Sequence, residues 1–289
     1  MRSAISCTLR KGSRIKCSPR SLCNKASTPR SNGGNLLPKV ALSGSGWLLP
    51  FHVGACQSLK DMGYVHCNTQ YAGASGGALV ATAMCCGFSS NEIMKTVLEL
   101  AEWYRAQHIG LGILETEMRR RFLALLPEEA WSIVGNKLHI AILPLDPRKM
   151  FRAELVSNFE SNEEMVEALL ASSYIPLYLG PSLATKFRNE IVVDGGLVNA
   201  VPIFKNSTTI CPFPGTGENA RKFHPARLIA SDVHITPDLL SSNGGVDYHH
   251  VPNFAKTLRD SFMPPSTKEL WNYYEMGYAS AGAWHRQRI

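Results

Sequence analysis

The first 60 residues contain no aspartate or glutamate, although they carry ten lysines and arginines. The formal net charge of +7 therefore belongs to the N-terminal segment. Subtracting those ten leaves 20 basic against 23 acidic side chains in the rest of the chain. A basic balance produced this way says nothing about nucleic-acid binding by the folded part, and no nucleic-acid partner is expected. No stretch approaches the roughly 18 consecutive apolar residues of a membrane span. The longest run of small and apolar residues, Gly76 to Phe88, is too short. None of the eight cysteines forms a C-x-x-C pair, and no calcium-loop spacing occurs, so no metal or cofactor is implied. Cys7, Cys17 and Cys23 lie in the N-terminal segment; the others read as buried free thiols of a reducing compartment.

Residues 1–34 add seven serines to their lysines and arginines and have no continuous apolar core. That composition fits an organelle transit peptide, plastid or mitochondrial, better than a secretory signal, which needs an apolar stretch of about 7–15 residues. Without that reading, the expected location is the cytoplasm or a lipid-droplet surface, held peripherally. Residues 35–289 are read as one folded domain, with 45% hydrophobic and 18% charged residues over the whole chain. Deleting residues 1–34 is expected to leave the melting temperature and activity nearly unchanged. A large loss of stability in that truncation would show the segment to be structural.

After residue 34 the pattern alternates between strands and helices. Lys39 to Ser43 reads as a buried strand, followed by a helix with Pro50 in its first turn and Gly63 past its end. Gln70 to Ala72 is a second strand, leading into a helix that stops at Gly87. Ser89 and Glu92 form a capping box for a helix to Gln107, and Ser161 and Glu164 repeat the signal before a helix ended by Pro176. Glu115 to Leu126 is a further helix, stopped by Pro127. Strands are expected at Leu138–Leu143, Arg152–Val156, Glu190–Val193, Thr208–Ile210 and Arg227–Ile235. Val251 to His285 reads as helical, broken at Pro264-Pro265. This order implies an α/β fold with a largely parallel sheet.

Three stretches carry chemistry. Gly73-Ala74-Ser75-Gly76-Gly77 is a G-x-S-x-G elbow between a strand and a helix. A serine on so sharp a turn needs small neighbours, and its hydroxyl stands at the positive end of the following helix. Gly44-Ser45-Gly46, also between strand and helix, offers backbone N–H groups that could join that of Gly76 around an oxyanion. It could equally cradle a phosphate, but Leu49 stands where the third glycine of a G-x-G-x-x-G belongs, and no lysine follows. Asp194-Gly195-Gly196 closes a strand, and strand ends border the functional crevice of α/β sheets.

Together these residues resemble the patatin-like phospholipases, in that family's order, from about Val40 to His285. The similarity extends to the animal branch that includes adiponutrin and adipose triglyceride lipase. It is carried by Phe51-His52-Val53-Gly54, by Ala171 through Pro176, and by Val193 through Pro202. The resemblance implies a three-layer fold with a mostly parallel central sheet flanked by helices. It also implies a lipid acyl hydrolase with Ser75 as nucleophile, Asp194 as general base, and Gly44, Gly46 and Gly76 at the oxyanion site. Gly73, Gly77, Gly195 and Gly196 complete the motifs. The implied partner is a long-chain lipid ester, met at a membrane or lipid-droplet surface. Leu49 departs from the family, since leucine cannot take every conformation open to glycine. A reshaped loop, and at the extreme a lipid-binding homologue without turnover, is the expected consequence. A Ser-His-Asp triad using His224, His234, His249, His250 or His285 is the rival within hydrolases. It is disfavoured because only about 35 residues separate the first strand from the elbow, too few for the strands that fold places first.

Overall fold

The computed structural model describes residues 38–107, 112–149, 152–218, 222, 224–242 and 251–289. Residues 1–34, read above as a transit peptide, lie outside the described residues, as do His249 and His250. The first half runs as expected through β1 (Lys39–Leu42), α1 (Leu49–Asp61), β2 (Gln70–Gly73), α2 (Gly76–Cys85), α3 (Ser90–Ala106) and α4 (Leu114–Leu125), adds a short helix α5 (Ala130–Val134) that the sequence did not signal, and reaches the expected β3 (Leu138–Pro144). The second half runs β4 (Glu154–Val156), α6 (Asn162–Ser172), β5 (Thr185–Phe187), β6 (Glu190–Asp194), β7 (Thr208–Ile210), α7 (Asp238–Ser242), α8 (Phe254–Phe262) and α9 (Thr267–Arg286).

The strands form one sheet in the order β5-β6-β3-β2-β1-β7, with β4 also paired to β3. The helical crossovers make β7, β1, β2 and β3 a parallel core. To this, β6 and β4 add antiparallel on β3, and β5 pairs with β6 as a hairpin. Helices flank the sheet. Helices α1 and α9 approach backbone to backbone: a Cβ on Gly277 would lie 2.0 Å from the Phe51 carbonyl oxygen. The main core runs from Val40 and Leu42 through Phe51, Leu59, Ile140 and Ile210 to Trp284. A second cluster joins Trp47 to Tyr104, Met118, Leu170, Tyr174 and Leu270.

Capping explains several boundaries. The Ser89 hydroxyl accepts from the Glu92 N–H, and Glu92 accepts from the Ser89 N–H at 2.8 Å, so that box is complete. Ser161 caps α6 in the same way, but Glu164 accepts instead from the Glu160 N–H and from Arg188, so the reciprocal half is missing. Ser266 and Glu269 form a second complete box after the Pro264-Pro265 break.

Two expectations need correction. Arg227–Ile235 is not a strand: Pro225–Leu228 is a short 3-10 turn, and only the isolated bridges Gly217↔Val233 and Ile210↔Ile235 follow. Asp232, with φ 57°, breaks the extended run. The β5–β6 hairpin was absent from the sequence reading. Its turn residues Arg188 and Asn189 both have positive φ, as a tight hairpin requires, but lack the Asn-Gly signal. Among the described cysteines, Cys56, Cys85, Cys86 and Cys211 are buried as expected and form no disulfide, whereas Cys67 is exposed. No helix among the described residues is long and apolar enough to cross a membrane.

Candidate active site

Ser75 leaves β2 with φ 51° and ψ −127° and caps the start of α2. That conformation is costly for a side chain with a Cβ, on the order of 1–3 kcal/mol, so the surroundings must hold it. They do so at several points. The Ser75 N–H donates to the Ser172 hydroxyl at 3.0 Å, and the Gly77 N–H donates to the Ala74 carbonyl at 2.8 Å. Gly77 lies so close to β1 that a Cβ would stand 2.4 Å from the Ser43 carbonyl oxygen. A Cβ on Gly73 would stand 2.5 Å from the Ala78 nitrogen. The elbow therefore packs directly onto the glycine loop that follows β1.

Asp194 ends β6, where it pairs with Ile142 of β3. Its N–H donates to the Tyr174 carbonyl at 3.0 Å, and its carboxylate accepts from the Gly196 N–H at 2.7 Å. Gly195 passes tightly over β3, since a Cβ there would lie 2.2 Å from the Ala141 oxygen. Ser75 is 7% exposed and Asp194 3%. Burial pushes the Asp194 carboxyl up to about 6, against the lowering pull of the Gly196 N–H and the Ser75 hydroxyl. The carboxylate thus lies within electrostatic reach of the serine hydroxyl and holds its proton more tightly than an exposed aspartate.

The glycine loop lies beside this pair. A Cβ on Gly44 would be 3.8 Å from both the Ser75 Cβ and the Gly196 Cα. Gly44 is not a free donor, however: its N–H is committed to the Ala200 carbonyl at 2.8 Å. In this structure Gly44 therefore contributes close approach to the Ser75 turn and no free N–H. Gly46 begins a 3-10 turn, Gly46–Leu48, and Gly76 begins α2, so neither N–H has an acceptor within its own helix. A Cβ on Gly76 would sit 3.2 Å from the Gly46 nitrogen and 2.5 Å from Ser45 Oγ, which brings Gly76 and Gly46 side by side. Gly46 has φ 50°, and a Cβ there would lie 2.0 Å from the Ser261 carbonyl oxygen.

Leu49 behaves differently from the expectation drawn for it. It has φ −53° and ψ −24°, ordinary helical values, and as the first residue of α1 it is buried in the main core. The position does not require glycine, so the loop is not reshaped on its account. Leu49→Gly is expected to change kcat/KM by less than about tenfold, or about 1.4 kcal/mol, measured on a soluble ester. A larger loss would mean the leucine side chain itself shapes the site.

The described histidines are occupied elsewhere. His224 accepts from the Ala226 N–H and stacks edge-on against Phe254. His234 lies against Thr209 and Glu218, and His285 against Tyr64. None of the three is hydrogen-bonded to Ser75 or Asp194. His52, not weighed as a functional residue from the sequence, is fully buried in α1 with Nε2 3.0 Å from the Ser43 oxygen. Burial, partly offset by that bond, lowers its pKa to about 4, so it is neutral and braces β1 where the glycine loop begins. Ser172 was also missed; both side chains look from the sequence like ordinary helix residues. Among the described residues no cluster of three His, Cys, Asp or Glu side chains is placed to hold a metal ion. A cavity of about 280 Å³ lined by His234, Asp238, Trp284 and Arg288 contains neither Ser75 nor Asp194.

A strand–turn–helix elbow at Ser75, a buried aspartate at the end of β6 and a glycine loop after β1 define a class. The model of the patatin-like phospholipase family matches residues 40–205, and the chain belongs to that family. It is 28% identical to human patatin-like phospholipase domain-containing protein 4 over 251 residues, covering 83% of this chain and 92% of that protein. It is also 28% identical to human omega-hydroxyceramide transacylase, over 84% of this chain but only 44% of that protein. The mouse 1-acylglycerol-3-phosphate O-acyltransferase Pnpla3 is 31% identical over 62% of this chain and 44% of its own length. The chain thus spans less than half of these two relatives. Among solved structures, VipD from Legionella pneumophila superposes with a TM-score of 0.50 at 10% identity, covering 87% of this chain and 67% of that one, a likeness of fold.

Proposed function

We propose that the chain cleaves carboxylic esters of long-chain lipids, triacylglycerol or phospholipid, through a Ser75–Asp194 dyad and an acyl-enzyme intermediate. The observation that carries this reading is the buried Asp194 carboxylate, held by the Gly196 N–H at 2.7 Å and raised by burial to about 6 with the Ser75 hydroxyl close enough to pull against that rise. In the first half-reaction Ser75 Oγ attacks the ester carbonyl as its proton passes to Asp194. The Gly76 and Gly46 N–H groups receive the negative oxygen. As the carbon–oxygen bond to the alcohol breaks, Asp194 returns the proton to that leaving oxygen. Water then attacks the acyl-serine, with Asp194 accepting a water proton and delivering it to Ser75 Oγ. A second alcohol in place of water gives acyl transfer by the same steps, which accords with the transacylase and acyltransferase names of two relatives.

Contact with a lipid surface is part of the proposal. Leu197, Val198 and Ile203 are exposed on the segment that follows Asp194, and Leu177, Phe262 and Met263 are exposed beside the oxyanion loop. Trp47 of that loop reaches them through Tyr178, donating to its hydroxyl at 2.8 Å, while Tyr178 in turn donates to the Phe262 carbonyl. The ordinary helical backbone of Leu49 gives no support to a silent lipid-binding homologue.

The direct test is labelling by a fluorophosphonate, wild type against Ser75→Ala, followed by a panel of lipid esters. Labelling that survives in Ser75→Ala would end the assignment. The pH profile is a second test. Because Asp194 must be ionised to act as base, kcat/KM is expected to fall as pH drops through about 6. A profile flat down to pH values near the ordinary aspartate range would remove Asp194 from the role of base.

A further inference from the structure

We propose that Ser172 is a positioning residue for the active site, its hydroxyl and the Tyr174 carbonyl together holding the backbones of the two dyad members. This rests on the reading of Ser75 and Asp194 as the catalytic pair. Ser172 is the last residue of α6 and is fully buried. Its hydroxyl accepts from the Ser75 N–H at 3.0 Å and donates to the Ala141 carbonyl at 2.6 Å. Two residues on, the Tyr174 carbonyl accepts from the Asp194 N–H at 3.0 Å.

The position of Ala141 gives the contact its meaning. Ala141 belongs to β3, which stands between β2, the strand that delivers Ser75, and β6, the strand that delivers Asp194. The Ala141 oxygen is also the atom over which Gly195 passes. A single hydroxyl therefore ties the nucleophile to the strand that registers the base, and its neighbour's carbonyl ties the base to the same segment. The separation of Ser75 and Asp194 is set by this chain of bonds across α6, β3 and β6. The Ser75 end of it is the end that needs holding, since its backbone sits at φ 51°.

A serine hydroxyl has one hydrogen to donate and lone pairs to accept, so Ser172 satisfies both partners at once and alanine would satisfy neither. The freed Ser75 turn would relax, and the Ser75 hydroxyl would drift from the Asp194 carboxylate. Misplacement on the scale of an ångström costs about 10²-fold in rate. It should also carry a signature in pH. The nearby Ser75 hydroxyl favours the ionised carboxylate, so moving it away raises the pKa of Asp194.

The experiment compares Ser172→Ala, Ser172→Cys and Ser173→Ala in the full chain on a soluble ester, with circular dichroism to confirm folding. Ser173 is the control, because its buried hydroxyl has no hydrogen-bond partner. For Ser172→Ala we expect kcat to fall about 10–100-fold with KM little changed. The acid limb of the pH profile should move to higher pH. Cysteine, similar in size but a weak donor and acceptor, should give an intermediate loss and carries the test if the alanine variant does not fold. Ser173→Ala should keep wild-type kcat and limb. A folded Ser172→Ala or Ser172→Cys with wild-type kcat and an unmoved limb overturns the proposal, as does an equal loss in Ser173→Ala. Inactive Ser75→Ala and Asp194→Asn beside an unimpaired Ser172 variant would remove only the positioning role. Near-normal turnover in Asp194→Asn would remove the dyad itself.

Discussion

Replacing Asp194 by asparagine is expected to abolish turnover while making the protein more stable at neutral pH. The activity half follows from the proposed chemistry: asparagine keeps the shape and the acceptor for the Gly196 N–H but cannot take the serine proton. Residues that act as one unit each remove most of the rate when lost, on the order of 10³-fold or more, and the double variant adds little. The stability half follows from burial. The folded carboxyl binds its proton up to about 6, while the unfolded one releases it near the ordinary 3.8. Between those values the native state holds more protons than the unfolded state, so stability falls as pH rises, and the full cost is present above about 6. At about 1.4 kcal/mol per pH unit that cost is on the order of 3 kcal/mol, which asparagine does not incur. Melting curves of Asp194→Asn and wild type should diverge at pH 7.5 and converge below pH 4. Alanine at His52, His224, His234, His249, His250 or His285 should not approach the loss in Ser75→Ala. A folded histidine variant as inactive as Ser75→Ala would replace the dyad by a triad, and an active Asp194→Asn would reject the mechanism.

The expected gain in stability explains why the site is built as it is. A carboxylate in solution is too weak a base to take a serine proton, so its proton affinity must be raised, and burial is what raises it here. The fold carries the resulting cost and the strain at Ser75 through the hydrogen bond that the Ser172 hydroxyl, at the end of α6, accepts from the Ser75 N–H, and through the close packing of Gly77 and Gly195 on neighbouring strands. Those supports come from residues distant in sequence.

That distance also decides what was legible in the sequence. The elbow Gly73–Gly77 and the Asp194-Gly195-Gly196 strand end were readable because each is local: small residues at a turn after an apolar run. The parallel core β1–β2–β3 was readable for the same reason, from strands alternating with helices that end in glycine or proline. The β5–β6 hairpin was not, because Arg188 and Asn189 take left-handed conformations without the glycine that usually announces them. Arg227–Ile235 misled because its apolar residues suggest a strand, while Pro225 and the left-handed Asp232 prevent one. Ser172 and His52 were invisible as site residues because their roles depend on contacts with Ala141, Ser75 and Ser43, made only when the sheet is assembled. Gly44 and Gly46 were indistinguishable as letters, and only the Ala200 contact separates them.

Gly46→Val is expected to cost about 10²–10³-fold in kcat, the range for losing one oxyanion donor. Three observations converge on this residue. Its φ of 50° is open to glycine and disfavoured for a β-branched side chain; a Cβ would meet the Ser261 carbonyl at 2.0 Å; and its nitrogen stands next to Gly76. Valine must therefore push the loop away from α8 or flip the peptide, and either movement takes the Gly46 N–H from the oxyanion. Binding of the acyl chain is less affected, so KM should change far less than kcat. Gly46→Ala should fall between valine and wild type, since it brings the Cβ contact without the branching. The contrast with Leu49→Gly makes the test specific to this loop. Both are glycine positions of one motif, yet Leu49 has helical dihedrals and packs into the core. If Gly46→Val, shown folded by its thermal transition, keeps a kcat within about tenfold of wild type, the loop is not the oxyanion site. The donors would then have to be sought at Gly76 and elsewhere around Ser75.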